Sequence, residues 1–525
     1  MIIGDYDMKE YILTNSEAQL VDQYAIDVLE IPGVELMEKA GSYVSSEAKK
    51  LLKDMPGNRV DLFCGTGNNG GDGFVAANDL YKWGANVFIW VVGDISRIKG
   101  DALYFFQKCK KNNIIINSLK VEKDLLSLKH ISETNLIIDA LLGTGFRGEV
   151  RGMVFDLIEL INKAKRPVLS VDIPSGINGD TGQIGGIAIK SKKTVTMGFL
   201  KRGLLFQPGK KYAGEVVLVD LGYPEKSFSV LSSETVLIRE SDVRNLFPSI
   251  PEDTYKHRQG KVLIFAGSPG MTGAASLASI GALRGGAGLV VAAIPESLNT
   301  IMEIKLTEAL TLPLPESSSH TFCKESLEPA RERIEWSDVV VYGPGVSNDA
   351  KVKDFGLALV DVCDKPIIID ADGLRIFHNN LDALKNIKDL VITPHLGELS
   401  EMMDIKINKI KENIIDVARD FVKQYPCTLV VKGAPTVIVG IDGTAAVNST
   451  GNPALATGGT GDVLTGLIAA FRAQRMTSFE ASVAAVFIHG LAGYRGYQEL
   501  GIRGLIAGDL LNYIPVVLKK YDRIG

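Results

Sequence analysis

The chain has 525 residues, 46% of them hydrophobic, and a formal net charge of -5 at pH 7. This length and apolar content exceed what one ordinary domain needs, so we expect two domains, each with its own core. The acidic balance without a long basic block argues against nucleic-acid binding, and the longest apolar runs, 87–92 and 262–266, are far shorter than the roughly 20 residues of a membrane helix.

The N-terminal stretch MIIGDYDMKEY carries acidic residues where a signal peptide carries a basic segment and an apolar core. We therefore expect a cytoplasmic protein. The five cysteines form no C-x-x-C pair and do not cluster with the six histidines. A disulfide framework or structural zinc site is therefore not expected, and the thiols are predicted to be buried and reduced.

Two helices are predicted first, over 16–28 and 33–52, the second beginning after Pro32. Short β-branched runs then alternate with helical stretches, the pattern of a parallel sheet with crossover helices. The predicted strands are RVDLFC (59–64), NVFIWVV (86–92), NLIIDAL (135–141), PVLSVDI (167–173) and KTVTMGF (193–199). Each ends at a polar loop, and such loops meet at the carboxyl edge of the sheet, where ligands bind in open α/β folds.

This alternation of strands and helices stops near residue 230 and begins again at GKVLIFAGSPGMTGAA, so we predict domains over 1–230 and 231–525. The second domain continues through DVVVYGPG, PIIIDADGL, LVITPHLGE, TLVVKGAPTVIV and TGNPALATGGTGDVLTGLIAAF. No fixed-period repeat is visible. The sequence indicates two different α/β domains rather than a duplication.

The stretch CGTGNNGGDG (64–73) follows the first strand and contains the G-x-G-x-x-G spacing. A dehydrogenase fingerprint would also have an acidic residue about 20 positions further on, which Asp94 satisfies only loosely. A plain glycine turn explains the pattern equally well.

Oxygen-bearing side chains follow three of the predicted strands. They are Asn68, Asn69, Asp72, Asp139, Asp172 and Ser175. Any one aspartate after a strand is more simply a helix cap, but parallel neighbouring strands would bring all of them into one crevice. Such oxygens suit a hard cation, and a spare carboxylate suits acid–base chemistry.

Four blocks, LMEKAG, GTGNNGGDG, DALLGTGFRGE and VDIPSGINGDTG, resemble the NAD(P)H-hydrate epimerase family over residues 11–225. The resemblance implies a Rossmann-like three-layer α/β/α domain that binds a damaged dinucleotide as substrate, with Asp172 as the catalytic residue. It implies a potassium site at Asn69, Asp139 and Ser175. It further implies substrate contacts from Asn68, Asn69, Gly70, Gly71, Asp72, Gly143, Thr144, Gly145, Phe146, Arg147, Gly148, Glu149 and Asp172. Lys39 departs from the family, which usually has Asn there; a solvated helix charge is the alternative interpretation.

The stretch ATGGTGDVLTGLIAAF predicts a glycine loop and a helix whose first turn begins near Asp462. Exposed N–H groups at 459–461 would make an anion site for a transferring phosphoryl group. The stretch does not match a Walker A loop. Asp462 is either the helix N-cap or a base that activates a hydroxyl.

The motifs HRQGKVLIFAGSPGMTGAA, GPG, TPHLGE, KGAPT and GNPALATGGTGD resemble the ribokinase-like superfamily, more closely the ADP-dependent NAD(P)H-hydrate dehydratase family, over 255–520. The resemblance implies ADP with Mg²⁺, bound by Lys432, Gly433, Ala434, Pro435, Thr436 and Gly461. Contacts to the hydrated dinucleotide would come from Ala274, Gly345, His395 and the catalytic Asp462. VSND after Gly345 departs from the family's Leu-Gly. For His395 a buried structural imidazole is the alternative, and His489 is predicted to be core.

Together the two resemblances imply one repair cycle. Water added across the nicotinamide C5–C6 bond leaves a hydroxyl on the carbon beside the ring nitrogen. This hydroxyl can leave, and water can return on either face of the ring. The hydroxyl of one epimer is then phosphorylated and leaves as phosphate. The expected partners are hydrated NADH or NADPH and ADP, in a homo-oligomer. A vitamin-precursor kinase fused to a dinucleotide-binding domain, a non-catalytic binding module and a dehydrogenase are the alternatives. The sequence does not decide between ADP and ATP.

Overall fold

The computed structural model describes residues 9–524. The first eight residues, most of the MIIGDYDMKEY segment, and Gly525 lie outside the described residues. The chain divides into two compact units between Ser232 and Ser233. No helix in the range 9–524 is both long enough and apolar enough to cross a membrane.

The strands of the first unit, in chain order, are β1 (Ile12–Leu13), β2 (Arg59–Cys64), β3 (Asn86–Val92), β4 (Ile115–Leu119), β5 (Leu136–Ala140), β6 (Val168–Val171), β7 (Lys193–Met197), β8 (Leu200–Lys201) and β9 (Glu215–Val219). Its helices are α1 (Asn15–Asp27), α2 (Gly33–Lys53), α3 (Asn68–Lys82), α4 (Gly100–Lys111), α5 (Met153–Lys163) and α6 (Gly209–Ala213). The predicted helices and strands are confirmed, with ends within two residues.

Seven of these strands form a parallel sheet in the order β4-β3-β2-β5-β6-β7-β9. The three strands that carry the predicted oxygen ligands are direct neighbours, with Phe63 beside Asp139 and Asp139 beside Ser170. One face of the sheet packs on α5 and the other on α3, so the strands are buried on both sides. The carboxyl ends of β2, β5 and β6 therefore meet, as the sequence predicted.

The strands of the second unit are β10 (Thr235–Ile238), β11 (Lys261–Phe265), β12 (Leu289–Pro295), β13 (Leu310–Leu314), β14 (Val339–Tyr342), β15 (Ile367–Ile369), β16 (Leu390–Ile392), β17 (Thr428–Val431), β18 (Val437–Val439) and β19 (Ala445–Asn448). Its helices are α7 (Glu240–Leu246), α8 (Thr272–Arg284), α9 (Asn299–Lys305), α10 (Leu327–Trp336), α11 (Ala350–Val362), α12 (Leu396–Met403), α13 (Ile407–Glu412), α14 (Ile414–Gln424), α15 (Thr460–Ala473), α16 (Ser478–Gly504) and α17 (Ala507–Leu518).

These strands form one sheet in the order β10-β19-β18-β17-β16-β15-β14-β11-β12-β13, parallel except where β18 pairs antiparallel with β17 and β19. One face, including Val262 and Val341, packs on α8 and α15. The other face packs Phe265 and Tyr342 against Phe355 of α11. This confirms an α/β class with helices on both faces of a mainly parallel sheet.

All five cysteines are free thiols, and four of them are buried while Cys363 is half-buried. Burial raises the pKa of Cys363 to about 11, so its thiol stays protonated near neutrality.

Candidate active sites

The first site begins where β2 ends and α3 starts. Gly67 precedes the helix, so residues 68–72 form its first turns rather than an open loop. A Cβ at Gly70 would lie 2.0 Å from the Gly65 carbonyl oxygen, and one at Gly71 would lie 2.6 Å from Met37 Sδ. These two glycines are therefore needed so that α3 can pack closely on the strand end and on α2.

Asp139 lies at the end of β5 and organises the neighbouring loops. It is fully buried, and Ser175 donates to both of its oxygens, from Oγ at 2.5 Å and from the backbone N–H at 2.9 Å. Ser170 Oγ also donates to it, at 2.8 Å. Burial raises the pKa of Asp139, although the hydrogen bonds from Ser175 oppose that rise.

The potassium ligands expected from the sequence converge on one backbone oxygen. Asn69 Nδ2 lies 3.2 Å from the Leu142 carbonyl oxygen, and Ser175 Oγ lies 3.3 Å from it. Asp139 is bonded to the same serine. The structure thus brings Asn69, Asp139 and Ser175 together around Leu142.

A cavity of about 760 Å³ opens beside this cluster at the carboxyl edge of the sheet. The predicted site residues that line it are Asn68, Asn69, Asp72, Gly143, Thr144, Gly145, Phe146, Arg147 and Asp172. Gly148 and Glu149 do not line it, and Glu149 is exposed and paired with Arg151 at 2.9 Å. Asp94, considered as a ribose ligand, is an exposed helix cap outside the cavity. Asp94 does not line the cavity. Its position therefore gives no support to the dehydrogenase interpretation.

Asp172 faces the cavity from the loop after β6. Its backbone has a positive φ of 66°, a strained conformation that is common at functional sites. Its Oδ1 accepts hydrogen bonds from the buried Lys201 ammonium and, at 3.2 Å, from Thr196 Oγ1. Lys201 also donates to the Phe199 carbonyl oxygen at 3.2 Å.

Sequence reasoning missed several groups of this cavity, namely Lys201, Asp22 and Tyr223. Tyr223 Oη donates to Asp22 Oδ1 at 2.5 Å. Lys201 lies in the two-residue strand β8, which pairs with β1 and is too short to give a periodic signal. Lys39 is exposed on α2, as in the solvated-charge interpretation, and its ammonium also donates to the Leu221 carbonyl oxygen at 3.0 Å.

In the second unit, α8 and α15 run side by side and bring their N-terminal ends to the same edge. A Cβ at Gly459 would lie 2.6 Å from Leu277 Cδ1, and one at Gly281 would lie 2.9 Å from the Val463 oxygen. Gly345, with φ of 64°, lies against the first turn of α8, since a Cβ there would be 2.9 Å from Ala274 Cβ. The predicted substrate residues Ala274 and Gly345 are thus direct neighbours.

Asp462 lies in the first turn of α15, but it is not the N-cap. The helix begins at Thr460, and Gly459, in a left-handed conformation with φ of 89°, is the N-cap. The expectation that the first turn of the helix begins near Asp462 is confirmed, whereas the N-cap alternative for Asp462 was wrong, because Gly459 takes the left-handed cap position. Burial, and next the charge of Asp370, raise the pKa of Asp462 to about 7.

Lys432, predicted to bind nucleotide, is held by a carboxylate that sequence reasoning missed. Its Nζ lies 2.6 Å from Asp370 Oδ1, and Thr465 Oγ1 donates to Asp370 Oδ2 at 2.6 Å. A Cβ at Gly461 would lie 3.5 Å from Lys432 Nζ. Asp370 directly follows β15, so the rule that found Asp139 could also have found it.

His395 is the N-cap of α12, and its imidazole is 59% exposed, so the buried-imidazole alternative was wrong. Its Nδ1 accepts hydrogen bonds at 3.0 Å from the N–H groups of Gly397 and Glu398. It lines a cavity of about 520 Å³ together with Ser347 and Asn348 of the divergent VSND segment. Ala274, Gly345 and Asp462 do not line this cavity.

The remaining predicted nucleotide residues, 433–436, connect β17 with β18 in a turn where Thr436 Oγ1 donates to the Gly433 oxygen at 3.0 Å. His489 is buried, as predicted, and its Nε2 lies 2.9 Å from the Thr460 oxygen at the start of α15. Its pKa is lowered to about 4 by burial, so the ring is neutral and donates from Nε2.

Residues 33–203 match the family described as YjeF-related protein N-terminus, and residues 262–516 match the family described as NAD(P)H-hydrate dehydratase. The bifunctional NAD(P)H-hydrate repair enzyme Nnr of Moorella thermoacetica is 35% identical over 518 residues, which cover 98% of this chain and 97% of that protein. The protein of the same name from Coxiella burnetii is 36% identical over 487 residues, covering 92% and 94%.

Among solved structures, the ADP/ATP-dependent NAD(P)H-hydrate dehydratase of Bacillus subtilis, co-crystallized with ATP and Mg²⁺, is 28% identical to this chain. Its TM-score is 0.48, and the match covers 55% of this chain and 98% of that one.

Proposed function

The chain belongs to the family of bifunctional NAD(P)H-hydrate repair enzymes, and from that premise we propose how its two units share the repair of hydrated NAD(P)H. Residues 1–230 interconvert the R and S epimers of the hydrate. Residues 231–525 dehydrate the S epimer to NAD(P)H, with ADP as phosphoryl donor and AMP and phosphate as products. The observation that carries this proposal is 35% identity to a bifunctional repair enzyme over 98% of the chain.

In the first unit, the nicotinamide hydrate would lie in the 760 Å³ cavity with its ring beside Asp172. The hydroxyl leaves as the ring nitrogen pushes electrons towards C6, and water returns on either face. A carboxylate that handles the proton accelerates both steps. Asp172 suits that role because it faces the cavity from a fixed position. Lys201 forms an ion pair with its carboxylate, and Thr196 donates a hydrogen bond to it.

The residues around Leu142 fit a monovalent cation. They supply carboxylate, hydroxyl, amide and carbonyl oxygens, the donors that hard cations prefer. Asn69, Asp139 and Ser175 would hold potassium. The ion would supply positive charge that fixes the loops after β5 and β6 and offsets anionic charge on the ligand.

In the second unit, Asp462 would deprotonate the hydroxyl of the S epimer, which then attacks the terminal phosphoryl group of ADP. Lys432 and the turn 433–436 would bind the nucleotide, and N–H groups at the start of α15 would stabilise charge on the phosphoryl group. The C6–O bond then breaks with its electrons on the phosphate, and the C5 proton is lost to solvent, which restores the C5–C6 double bond of NAD(P)H. Mg²⁺ would accompany the nucleotide phosphates, its usual binding mode.

The test is to incubate an equal mixture of the two hydrate epimers with the purified chain and ADP while following NADH absorbance. Full conversion is expected, since one activity feeds the other. Conversion of half the material would contradict the epimerase, and no conversion would contradict the whole proposal. A stable phosphorylated product of a small alcohol would instead support the kinase alternative. Replacing ADP with ATP in a parallel reaction tests the donor.

A homo-oligomeric state and a cytoplasmic location stay predictions. Analytical ultracentrifugation and fractionation of cells that produce the chain would test them.

A further inference from the structure

Two of the four carboxylates that line the cavity of the first unit have opposite surroundings. They are Asp72, on the second turn of α3, and Asp172, after β6. Asp172 Oδ1 accepts from the ammonium of Lys201, from Thr196 Oγ1 at 3.2 Å and from the Met197 N–H at 3.4 Å. Three donors thus hold Asp172 in one position.

Lys201 is held so that it cannot turn away from Asp172. Its side chain is 3% exposed, and its ammonium also donates to Thr196 Oγ1 at 3.1 Å and to the carbonyl oxygens of Met197 at 3.1 Å and Phe199 at 3.2 Å. Separating a buried ammonium from its carboxylate partner is costly, because it would leave an uncompensated charge. Lys201 therefore fixes the position of Asp172.

Asp72 has none of these partners. Within the described part of the chain, no hydrogen bond or ion pair reaches its carboxyl group, although it faces the same cavity. Desolvation, and next the charge of Asp172, hold the pKa of Asp72 well above its ordinary value. Asp22, another carboxylate of the cavity, accepts the Tyr223 hydroxyl at 2.5 Å. Asp101, the fourth, lies in the first turn of α4, where a carboxylate is favourable. Asp72 thus faces the cavity without a hydrogen-bond partner in the described residues, and its raised pKa favours the protonated form.

We propose that Asp72 is the general acid and Asp172 the general base of hydrate epimerisation, with Lys201 as the positioning residue that holds Asp172 in place. This inference rests on the proposed function of the first unit. Two carboxyl groups in one site take different roles when their environments drive their protonation apart.

The steps balance without an oxidant or reductant. Asp72 gives its proton to the C6 hydroxyl, the C6–O bond breaks with its electrons on oxygen, and water leaves while the ring nitrogen lone pair forms a double bond to C6. A water molecule then adds to the other face, the electrons return to nitrogen, and Asp172 takes the proton of that water. Proton exchange with solvent through the open cavity restores both groups.

The pH dependence follows from these roles. Asp72 can give a proton only while it is protonated, so the epimerisation rate should fall at higher pH as Asp72 loses its proton. The other titratable and charged groups that line the cavity are Asp22, Asp101, Arg147, Lys201 and Tyr223.

The test measures conversion of the pure R epimer to the S epimer without ADP, by chromatography, over pH 5 to 9. We expect Asp72→Asn to lower kcat by ~10²-fold or more with little change in KM, and to remove the descending limb. Lys201→Met should lower kcat with little change in KM, because Asp172 loses the donor that fixes its position. Asp94→Asn, an exposed carboxylate outside the cavity, is the matched control and should leave kcat and the descending limb in place.

Melting curves check that the first unit of each variant is folded, and dehydration of the S epimer with ADP checks that the second unit is intact. If Asp72→Asn kept the full rate and the descending limb, or Lys201→Met kept the full kcat, the assignment would be wrong even though the unit is an epimerase. If the unaltered chain failed to interconvert the epimers at any pH, the proposed function itself would fall.

Discussion

Two carboxylates of the second unit lie around one lysine and differ in protonation. Burial raises the pKa of Asp370, but the Lys432 ammonium and the Thr465 hydroxyl outweigh it, so the pKa ends below its ordinary value. Asp462 has no such donor, and burial together with the charge of Asp370 brings its pKa to about 7. A base with a pKa near the working pH combines a useful ionised fraction with enough basicity to accept a proton. Asp370 therefore raises the pKa of Asp462 and also holds the ammonium of Lys432 in position.

We predict that Asp370→Asn moves the ascending limb of the pH–rate profile for dehydration to lower pH. The substitution removes the negative charge that raises the pKa of Asp462, while Lys432, which lowers it, remains. The maximal rate should also fall, since Lys432 loses its 2.6 Å partner. The measurement is kcat for the S epimer with ADP between pH 5 and 9. A limb that stays in place or moves upwards would show that Asp462 is not the titrating base.

His489 gives a second prediction, which concerns stability. Its pKa is about 4 in the folded chain against 6.5 for a free histidine, so between those values the unfolded chain binds the extra proton. The free energy of unfolding should therefore decrease as pH falls from 6.5 to 4, by on the order of 3 kcal/mol from this residue. In His489→Gln, which can still donate to the Thr460 oxygen, that decrease should be smaller. Denaturant titrations at pH 4.5 and 7 measure the slope, and equal slopes in both proteins would contradict the assignment.

At the scale of elements, the position of the second site depends on how closely α8 and α15 approach. Gly281 and Gly466 lie at the contact, and a Cβ at Gly466 would be 2.2 Å from the Ala278 carbonyl oxygen. Because both helices begin at the same sheet edge, this contact sets the distance between Ala274 and the glycine stretch that precedes Asp462. The glycines inside these helices thus serve packing, whereas Gly459 serves the turn.

We predict that Gly466→Ala destabilises the second unit by about 1–3 kcal/mol, because backbone atoms of α8 cannot yield as a side chain can. Gly508 provides the matched control, since it lies in the first turn of α17 and a Cβ there would meet nothing within 4 Å. Gly508→Ala should be neutral or stabilising by up to about 1 kcal/mol. Equal melting temperatures for the two variants would mean that α8 and α15 can separate without cost.

At the scale of the whole molecule, each unit has its own sheet, its own core and its own site at the carboxyl edge of its strands. The first sheet is wholly parallel, and the second contains an antiparallel strand, β18. The two units are therefore separate folds that act on one substrate in succession rather than two copies of one fold. Inactivating one site should leave the chemistry of the other intact.

We predict that an equal mixture of two inactive forms, Asp172→Asn and Asp462→Asn, repairs both epimers completely. The first variant alone should convert only the S epimer and stop at half, and the second should epimerise without producing NADH. In the mixture, the epimer made by one chain can diffuse to the other chain. NADH absorbance gives the yield, and a mixture that still stops at half would show that substrate must pass within a single chain.

The sequence by itself determined the α/β class, the strands of the first unit and the side chains at their ends. It could do so because β-branched runs, polar strand ends and parallel pairing are local or nearest-neighbour properties. The same rule would have found Asp370. For Asp462 the sequence placed the residue correctly in the first turn of a helix but left open whether it was the N-cap, because it does not state which glycine takes the left-handed turn.

Only the tertiary structure showed which charged side chains surround the carboxylates of the two sites. Lys201 reaches Asp172, 29 positions earlier in the chain, from a two-residue strand with no periodic signal. The structure also separated Gly70 and Gly71, which pack helices, from Asn68 and Asp72, which line the cavity. Burial and the distance between charges set these properties, and both exist only once the chain is folded.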